Sequence, residues 1–441
     1  MDTLISNVTL VTMDEKMDVL FGAYLGVTDG KIAYIGKEPP KEKPATILDG
    51  TGMVAMPGLI NCHTHLATTA LRSMTDDASR AQALEQQLSL QGKMDQRSAK
   101  AAALLGMAEC LRFGITSVSD LYDFPEATAQ AAAECGIKAN IALAANRFID
   151  ENEDFDFETD QQCVESSRLA ETWNGFDDDR IRIDAGIYAE YTSNFKLWEG
   201  LRAWALEKNL GLQLHLAQTA AETESCMDRT GLGPAELLDA HGLFVLPTTA
   251  IGCVALSDYE RTLLGKRKIS AVTTPMANAK AGLPCMPVLE NVKAGMNVAL
   301  GTGGAVECGN LDLFEVMRYT AMDARVKGGD ANAMPAQAVL MMATACGARA
   351  QGREAQTGML KVGMDADIVL VDFSAPHLMP CHDVMNALVF SAKGGDVAMT
   401  MVRGEILYQN GSFPTIDLGS VVQELMTYTL PRLMEKEKDN G

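Results

Sequence analysis

Two of the six histidines in this chain, His63 and His65, are separated by a single residue. They follow a short apolar run, residues 57–60, whose composition predicts a β-strand. Residues two apart in a strand point to the same side, so both imidazoles should face the same way. His215 follows a second apolar run, residues 210–214. An isolated pair of this kind is better explained by hydrogen bonds at a strand end, but the third histidine favours a site for a divalent metal ion.

The sequence context of the other three histidines predicts structural or solvent-exposed roles. His241 precedes Gly242 after an apolar helical stretch, a pattern typical of a helix C-terminus. His377 and His382 lie among prolines in a loop. None of the three is expected at the metal site.

The elements that must position these histidines alternate through the middle of the chain. Apolar runs of strand length are separated by stretches rich in Ala, Leu, Glu and Met that predict helices. Eight repeats over roughly 250 residues predict a (β/α)8 barrel, which keeps its sites at the carboxyl ends of its strands. An open doubly wound sheet is the alternative, but no G-x-G-x-x-G motif follows the first strand. The predicted strands are 56–61, 114–120, 138–143, 181–185, 210–216, 249–254, 269–273 and 297–302.

Both chain ends have a different pattern from the middle. Short strand-like runs with turn residues occur over residues 4–36, and similar runs return over residues 367–408. Because chain termini commonly lie close together, one small β-sandwich built from both ends is predicted. We therefore expect the N-terminal part of the sandwich at 1–56, the barrel at 57–354, and the C-terminal part of the sandwich with a terminal helix at 355–441.

The composition restricts the partners of the protein. The chain carries 37 basic and 58 acidic side chains, a formal net charge of −21. Such a charge repels nucleic acid and anionic membranes, so a small molecule is the expected partner. Ten cysteines are scattered singly without a C-x-x-C motif, which indicates a reducing compartment. With no signal-peptide pattern and no apolar run of membrane-spanning length, a cytoplasmic location is predicted.

Residues 56–66, Met-Pro-Gly-Leu-Ile-Asn-Cys-His-Thr-His-Leu, resemble the amidohydrolase superfamily and, more narrowly, its cytosine deaminase-like branch. That branch contains chlorohydrolases and deaminases of methylthioadenosine, S-adenosylhomocysteine or guanine. The resemblance covers nearly the whole chain. It implies the barrel with its small sandwich and one divalent metal on His63, His65 and His215, with zinc preferred over iron or nickel. The further matching segments are 114–118 with Asp120, 215–217, 301–302, 310–315, and Gly358, Gly363, 366–367 and Asp372.

Several positions depart from the family pattern. The family's fourth metal ligand is an eighth-strand aspartate that also takes a proton from the attacking water; here its T-D-G motif reads Thr302-Gly303-Gly304. The sixth-strand H-C-V-H reads Gly252-Cys253-Val254-Ala255, and the H-x-x-E after the fifth strand ends in Gln218. A glutamine cannot shuttle a proton to a leaving amine. The fourth-strand histidine that contacts substrate corresponds to Tyr188.

Four other residues are candidates for the site. Glu190 lies just past the fourth strand, and Glu307 lies four residues after Gly303. We predict that one of these carboxylates replaces the missing aspartate as a base or a fourth ligand; an exposed loop glutamate is the alternative for each. Asn278 and Lys280 match the family's P-T-S-N-x-K stretch, which implies a wall of the substrate pocket, although a plain turn after strand seven explains them equally well.

Two functions are consistent with these residues. The first is a hydrolase of non-peptide C–N bonds, acting like a deaminase on a purine-like or triazine-like molecule with an altered metal site. The second is a catalytically inactive homologue that serves as a ligand-binding or assembly protein. Homo-oligomers are common among relatives, and the sequence leaves this point open.

Overall fold

The computed structural model describes residues 1–78, 80–149 and 153–435. Its strands are β1 (Thr3–Val11), β2 (Val19–Thr28), β3 (Lys31–Gly36), β4 (Thr46–Asp49), β5 (Met53–Pro57), β6 (Leu59–His65), β7 (Ile115–Tyr122), β8 (Lys138–Leu143), β9 (Ile181–Ile183), β10 (Ala185–Ala189), β11 (Leu212–Leu216), β12 (Thr248–Gly252), β13 (Ser270–Thr273), β14 (Asn297–Leu300), β15 (Gly303–Gly304), β16 (Ile368–Asp372), β17 (Val397–Val402) and β18 (Glu405–Gln409).

The α-helices mostly lie between these strands and on the rim of the molecule. They are α1 (Arg80–Gln91), α2 (Gln96–Arg112), α3 (Pro125–Cys135), α4 (Gln161–Trp173), α5 (Phe176–Asp179), α6 (Phe195–Lys208), α7 (Ala220–Thr230), α8 (Pro234–Ala240), α9 (Asp258–Lys266), α10 (Pro275–Lys280), α11 (Val288–Lys293), α12 (Ala305–Cys308), α13 (Leu313–Gly328), α14 (Ala336–Met342), α15 (Ala345–Ala350), α16 (Val384–Phe390), α17 (Leu418–Glu424) and α18 (Leu430–Met434).

The middle of the chain forms a barrel of parallel strands. Pairing runs from β15 through β6, β7 and β8 to β9, and from β10 through β11, β12 and β13 to β14. The chain itself joins the two halves, since one residue, Asp184, separates β9 from β10 and two residues separate β14 from β15. Ala145 also pairs with Ile187, and Gly303 with Thr64. The barrel predicted from the sequence is therefore confirmed.

Two predicted strand boundaries are wrong. Residues 53–57 belong to β5 in the sheet of the chain ends, so the first barrel strand begins at Leu59 and continues through His65. Both histidines thus lie within the strand, because β6 keeps pairing with β7 as far as Thr64. The fourth strand is interrupted at Asp184 and then extends to Ala189, beyond the predicted end at residue 185.

Local sequence signals explain where the helices begin and end. Asp95 caps α2, because its side chain accepts a hydrogen bond from the Ser98 amide. Helix α3 has Pro125 in its first turn and is capped at its C-terminus by Gly136, whose φ of 85° is readily accessible to glycine. These two helices pack outside β7 and bury their alanine-rich faces.

The two chain ends together form one mixed sheet. Strands β1 to β5 from the N-terminal end pair with β16 to β18 from the C-terminal end, and the junction is the antiparallel pair β5–β16. The strands of this sheet carry a separate apolar core, which includes Ile5, Leu25, Ile368 and Met399. The predicted domain of residues 355–441 extends to residues 436–441, which lie outside the described residues.

Buried charges connect the barrel to this sheet. Lys138 on β8 is 1% exposed, and its ammonium group lies 2.6 Å from a carboxylate oxygen of both Asp365 and Asp367. Arg353 is fully buried and donates to the Asn140 side chain and to the Asp179 carbonyl. Removing an aspartate partner of Lys138 would leave its buried charge undercompensated, so the Lys138 pairs tie the barrel to the end sheet.

In the part of the chain that the structure describes, no helix combines the length and apolar character needed to cross a membrane.

Candidate metal centre and active site

Three histidines meet at the carboxyl end of the barrel. His63 and His65 come from β6, and His215 comes from β11 on the other side of the barrel. One ring nitrogen from each residue lies within 4.8 Å of the other two, and the Nε2 atoms of His63 and His215 are 3.3 Å apart. All three side chains are buried. The predicted histidine cluster is therefore present.

Backbone carbonyls orient two of the three rings. His65 Nδ1 donates to the Leu121 carbonyl at 2.9 Å, and His215 Nδ1 donates to the Tyr188 carbonyl at 2.8 Å. A proton on Nδ1 leaves a lone pair on Nε2 of a neutral ring, which is the arrangement that metal-binding histidines use. His63 Nδ1 is buried without a hydrogen-bond partner among the described residues.

The electrostatic environment keeps at least one ring neutral. The pKa of His63 is well below its ordinary value, first because the ring is buried and then because His65 and His215 lie beside it. A neutral imidazole is the form that binds a metal. The residues present thus fit a divalent ion: three imidazoles with converging nitrogens, two of them oriented by carbonyls. This set of nitrogen donors suits zinc, iron or nickel.

A carboxylate occupies the position that strand eight leaves open. A Cβ atom placed on Gly303 would lie 2.9 Å from Oε2 of Glu307, which starts from the adjacent short helix α12. Glu307 Oε2 accepts a hydrogen bond from the Gly304 amide at 2.8 Å, and Oε1 lies 3.9 Å from His65 Nε2. The Glu307 carboxylate therefore fills the space in which a side chain at position 303 would begin.

Gln218 occupies the space that a side chain at position 252 would need. Gly252 has a φ of 104°, and a Cβ on it would lie 2.8 Å from the Gln218 Cγ atom and 3.0 Å from the Leu216 carbonyl oxygen. A histidine at position 252 is incompatible with this backbone and with the present place of Gln218. The glutamine lines the cavity in front of the three histidines.

That cavity has a volume of about 180 Å³ and contains aromatic, apolar and polar side chains. The Tyr188 ring lies 4.9 Å from the His215 ring and 6.4 Å from the Tyr191 ring. Ile251 adds an apolar surface. Aromatic and aliphatic surfaces next to converging polar groups are typical of a small-molecule site. The roof of the cavity includes Thr75, Asp76, Ala78, Ala83 and Gln87.

Lys280 joins the roof to the wall that carries Glu307. Its Nζ lies 2.6 Å from an Asp76 carboxylate oxygen and donates to the Val306 carbonyl at 3.0 Å. Asn278 also lines the cavity, and its amide donates to the Pro284 carbonyl. Both predicted wall residues thus reach the cavity, and both have protein partners.

The two candidate glutamates differ in position. Glu307 lines the cavity, whereas Glu190 does not. Both carboxylate oxygens of Glu190 accept hydrogen bonds from Arg229, at 2.8 and 3.1 Å, and Glu190 is only 4% exposed. Glu190 is therefore part of a structural ion pair.

The remaining histidines lie away from the centre. His241 is the C-cap residue of α8 and stacks on Phe195, as its sequence context indicates. His377 pairs with Asp396 at 2.9 Å, and His382 is exposed.

Sequence reasoning missed most of the cavity roof. Thr75, Ala83 and Gln87 lie beyond the H-x-H strand, in a segment without a diagnostic motif. Their position 10 to 22 residues after His65 was the only signal, because the segment after a barrel strand crosses the barrel mouth. The carbonyls of Leu121 and Tyr188 carry no sequence signal, since every residue has one.

These observations define the class of protein: a (β/α)8 barrel with a histidine metal centre at the carboxyl ends of its strands. Residues 54–407 match the amidohydrolase family, and the chain belongs to that family.

Two relatives cover almost the whole chain. A 5'-deoxyadenosine deaminase from Methanosarcina acetivorans is 36% identical over 427 residues, with 97% of each chain covered. A 5-methylthioadenosine/S-adenosylhomocysteine deaminase from Thermoanaerobacter pseudethanolicus is 33% identical over 424 residues, which are 96% of this chain and 97% of the relative.

Solved structures agree with the fold. An adenosine deaminase from Xanthomonas campestris with bound zinc superposes with a TM-score of 0.91 at 27% identity, and 98% of each chain is covered. An atrazine chlorohydrolase from Arthrobacter aurescens, complexed with zinc, has a TM-score of 0.88 at 22% identity, covering 98% of this chain and 100% of that one. At that identity the second likeness concerns the fold alone.

Proposed function

We propose that the protein is a metal-dependent hydrolase that removes the amino group from the purine ring of an adenosine-type nucleoside. The observation that carries this proposal is the Glu307 carboxylate, which lies 3.9 Å from His65 Nε2 and in the space where a side chain at position 303 would begin. Relatives named as deaminases of 5'-substituted adenosines support the substrate class. The triazine-like alternative has the weaker support, because the chlorohydrolase shares only the fold.

The metal, zinc in the first instance, would be held by His63, His65 and His215. When bound, such an ion supplies a Lewis acid that lowers the pKa of water to about 7. The chain's own part is to keep the imidazoles neutral and oriented and to exclude bulk water, which burial and the two carbonyl contacts achieve.

Glu307 is the proton carrier in this proposal. Its carboxylate takes a proton from the attacking water as oxygen forms a bond to the ring carbon. It then gives this proton to the amino group as the bond between the ring carbon and the amino nitrogen breaks and ammonia leaves. The second proton of the water moves from oxygen to the adjacent ring nitrogen, which gives the oxopurine. Among the described residues, one other carboxylate lines the cavity, that of Asp76, and it is bound to Lys280 at the roof. One carboxylate that serves both transfers is consistent with general acid–base catalysis.

Gln218 contributes binding. Its amide offers one donor and one acceptor, which match the amino group and an adjacent ring nitrogen of adenine, a pairing that glutamine also makes with this base elsewhere. Tyr188 and Tyr191 provide aromatic surface for the purine. The amide remains neutral throughout, so Gln218 fixes the orientation of the base and transfers no proton.

The test is ammonia release from a nucleoside panel by zinc-loaded protein. The panel contains adenosine, 5'-deoxyadenosine, 5'-methylthioadenosine, S-adenosylhomocysteine and guanine. We expect turnover of at least one adenosine, which His63→Ala abolishes together with stoichiometric zinc, while His377→Ala keeps both because His377 pairs with Asp396 far from the centre. Absence of ammonia from every adenosine at full zinc loading would contradict the proposal.

A second candidate function is ligand binding without turnover. The observation that favours it is Gln218, which replaces the family's proton-shuttling glutamate with a neutral amide. Calorimetric titration of the zinc-loaded protein with the same nucleosides separates the two functions. Tight binding without ammonia release supports the second function, and binding with ammonia release supports the first.

A further inference from the structure

A second cavity lies at the opposite end of the barrel from the histidines. Its lining includes Leu210, Thr248 and Ser270, which precede or begin strands β11, β12 and β13. His215 lies at the other end of β11. Because the strands are parallel, this cavity is at the amino-terminal end of the barrel. Its volume is about 500 Å³, which is within the usual range of ligand pockets.

The floor of this cavity is formed by buried polar side chains. Asn140, Thr249 and Ser270 are 3%, 6% and 6% exposed. The Asn140 amide donates to Asp184, and Thr249 donates to the Ala350 carbonyl. Ser270 Oγ accepts from the Asn297 amide, and within the described residues its own O–H stays available as a donor. The floor is therefore a built polar surface inside the barrel.

The walls carry more positive than negative charge. Among the described residues, four cations line the cavity, Arg182, Lys208, Lys268 and Arg349, against two carboxylates, Asp179 and Asp184. Lys208 is also paired with Glu207 at 3.0 Å, which leaves an excess of one positive charge in a chain whose net charge is −21. A concave, low-dielectric surface focuses such a local field.

The two carboxylates of the cavity do not neutralise Lys268 and Arg349, which are both exposed. Asp179 is bound by Arg182, whose Nε lies 2.9 Å from its carboxylate. Burial raises the pKa of Asp184, although the amides of Gln213 and Asn140 donate to it. Among the described residues, Lys268 and Arg349 form no ion pair and no side-chain hydrogen bond.

A further positive charge lies beneath the floor. Arg353 is buried behind Asn140 and donates to the Asn140 side-chain oxygen at 2.9 Å. Burial lowers its pKa to about 10, so the guanidinium remains charged at neutral pH. Its field adds to that of the wall cations.

We propose that this amino-terminal cavity binds a small multivalent oxyanion carrying phosphate or carboxylate groups, with Lys268 and Arg349 as its principal contacts. Guanidinium and ammonium groups form charge-assisted hydrogen bonds with both kinds of group. The site is separate from the histidine centre and takes no part in the proposed deamination.

The probes are inorganic pyrophosphate and citrate, titrated calorimetrically into the full chain at constant ionic strength. The variant is Lys268→Gln with Arg349→Gln, two exposed positions whose substitution leaves the core intact. The matched control is Lys37→Gln with Arg168→Gln, which removes the same charges from exposed positions outside the cavity. We expect the cavity variant to weaken binding about tenfold or more, and the control to weaken it less than about twofold.

Preference for pyrophosphate identifies phosphate as the anion chemistry, and preference for citrate identifies carboxylate. Three results overturn the proposal: no binding of either probe, equal weakening in the cavity variant and the control, or binding that the cavity variant leaves unchanged. The last result would place the anion elsewhere, for example at a metal on the histidines. Thermal unfolding of each variant verifies that the fold is retained.

Discussion

Replacing Glu307 by glutamine tests the central feature of the proposed mechanism. The substitution keeps the size of the side chain and an oxygen that can accept from the Gly304 amide. It removes the negative charge and the ability to take a proton. A positioned general base typically contributes about 10²–10⁴-fold to a rate. The loss in kcat should therefore be about 10²–10⁴-fold, equivalent to about 3–5 kcal/mol of transition-state stabilisation.

A rescue experiment follows from the geometry at Gly303. A side chain at position 303 clashes with the Glu307 carboxylate at 2.9 Å, and its next contact is the Ala277 Cβ at 3.7 Å. The double variant Glu307→Ala, Gly303→Asp removes the clash, and its carboxylate comes from position 303 on strand β15. Aspartate tolerates the φ of 74° better than most residues do. We expect the double variant to be at least about tenfold more active than Glu307→Ala alone.

The assay is ammonia release by zinc-loaded protein with the best nucleoside of the panel, over a range of substrate concentrations. Glu190→Gln is the matched control, because it makes the same chemical change at a carboxylate paired with Arg229 outside the cavity. It should retain more than about a third of the activity. Glu307→Gln with wild-type kcat and wild-type zinc content would refute the assignment of Glu307 as the proton carrier.

Three further predictions concern the roof, the buried charges and the pH dependence of stability. Lys280→Met should raise KM up to about fivefold with a smaller change in kcat, because it removes a partly exposed tether between Asp76 of the roof and the Val306 carbonyl; an unchanged KM contradicts this. Lys138→Met should lower the free energy of unfolding in urea by about 3–5 kcal/mol, because its two aspartate partners lose their buried counter-charge; a loss below about 1 kcal/mol contradicts it. Burial raises the pKa of Asp312 to about 6, so the folded state binds the Asp312 proton more tightly than the unfolded state does. The stabilisation that comes from this proton is present at low pH and is lost as the pH rises through about 6. The stability of the wild type relative to Asp312→Asn should fall by about 2 kcal/mol between pH 4 and pH 7, and equal pH dependence in both proteins rules the effect out.

Much of the fold could be predicted from the sequence because its signals are local. The apolar runs of the barrel strands and the helical stretches between them are set by short-range periodicity, and Pro125 and Gly136 mark the limits of α3. The first strand was misplaced because residues 53–60, which span β5 and the start of β6, form one apolar run that is divided only at Gly58. Pairing with partners far along the chain decides which part joins the barrel and which joins the end sheet.

The candidate site, too, could be predicted from the sequence only in part. The sequence by itself determined the three histidines, because alternation along a strand makes residues 63 and 65 face one side, and it also showed that positions 303 and 218 lack carboxylates. It left Glu190 and Glu307 equivalent. Only the tertiary structure distinguished them, since the choice depends on atoms from distant segments: Arg229 holds Glu190 in an ion pair, whereas Glu307 Oε1 lies 3.9 Å from His65 Nε2. Contacts between distant segments arise from packing of the whole barrel, and a local pattern does not encode them.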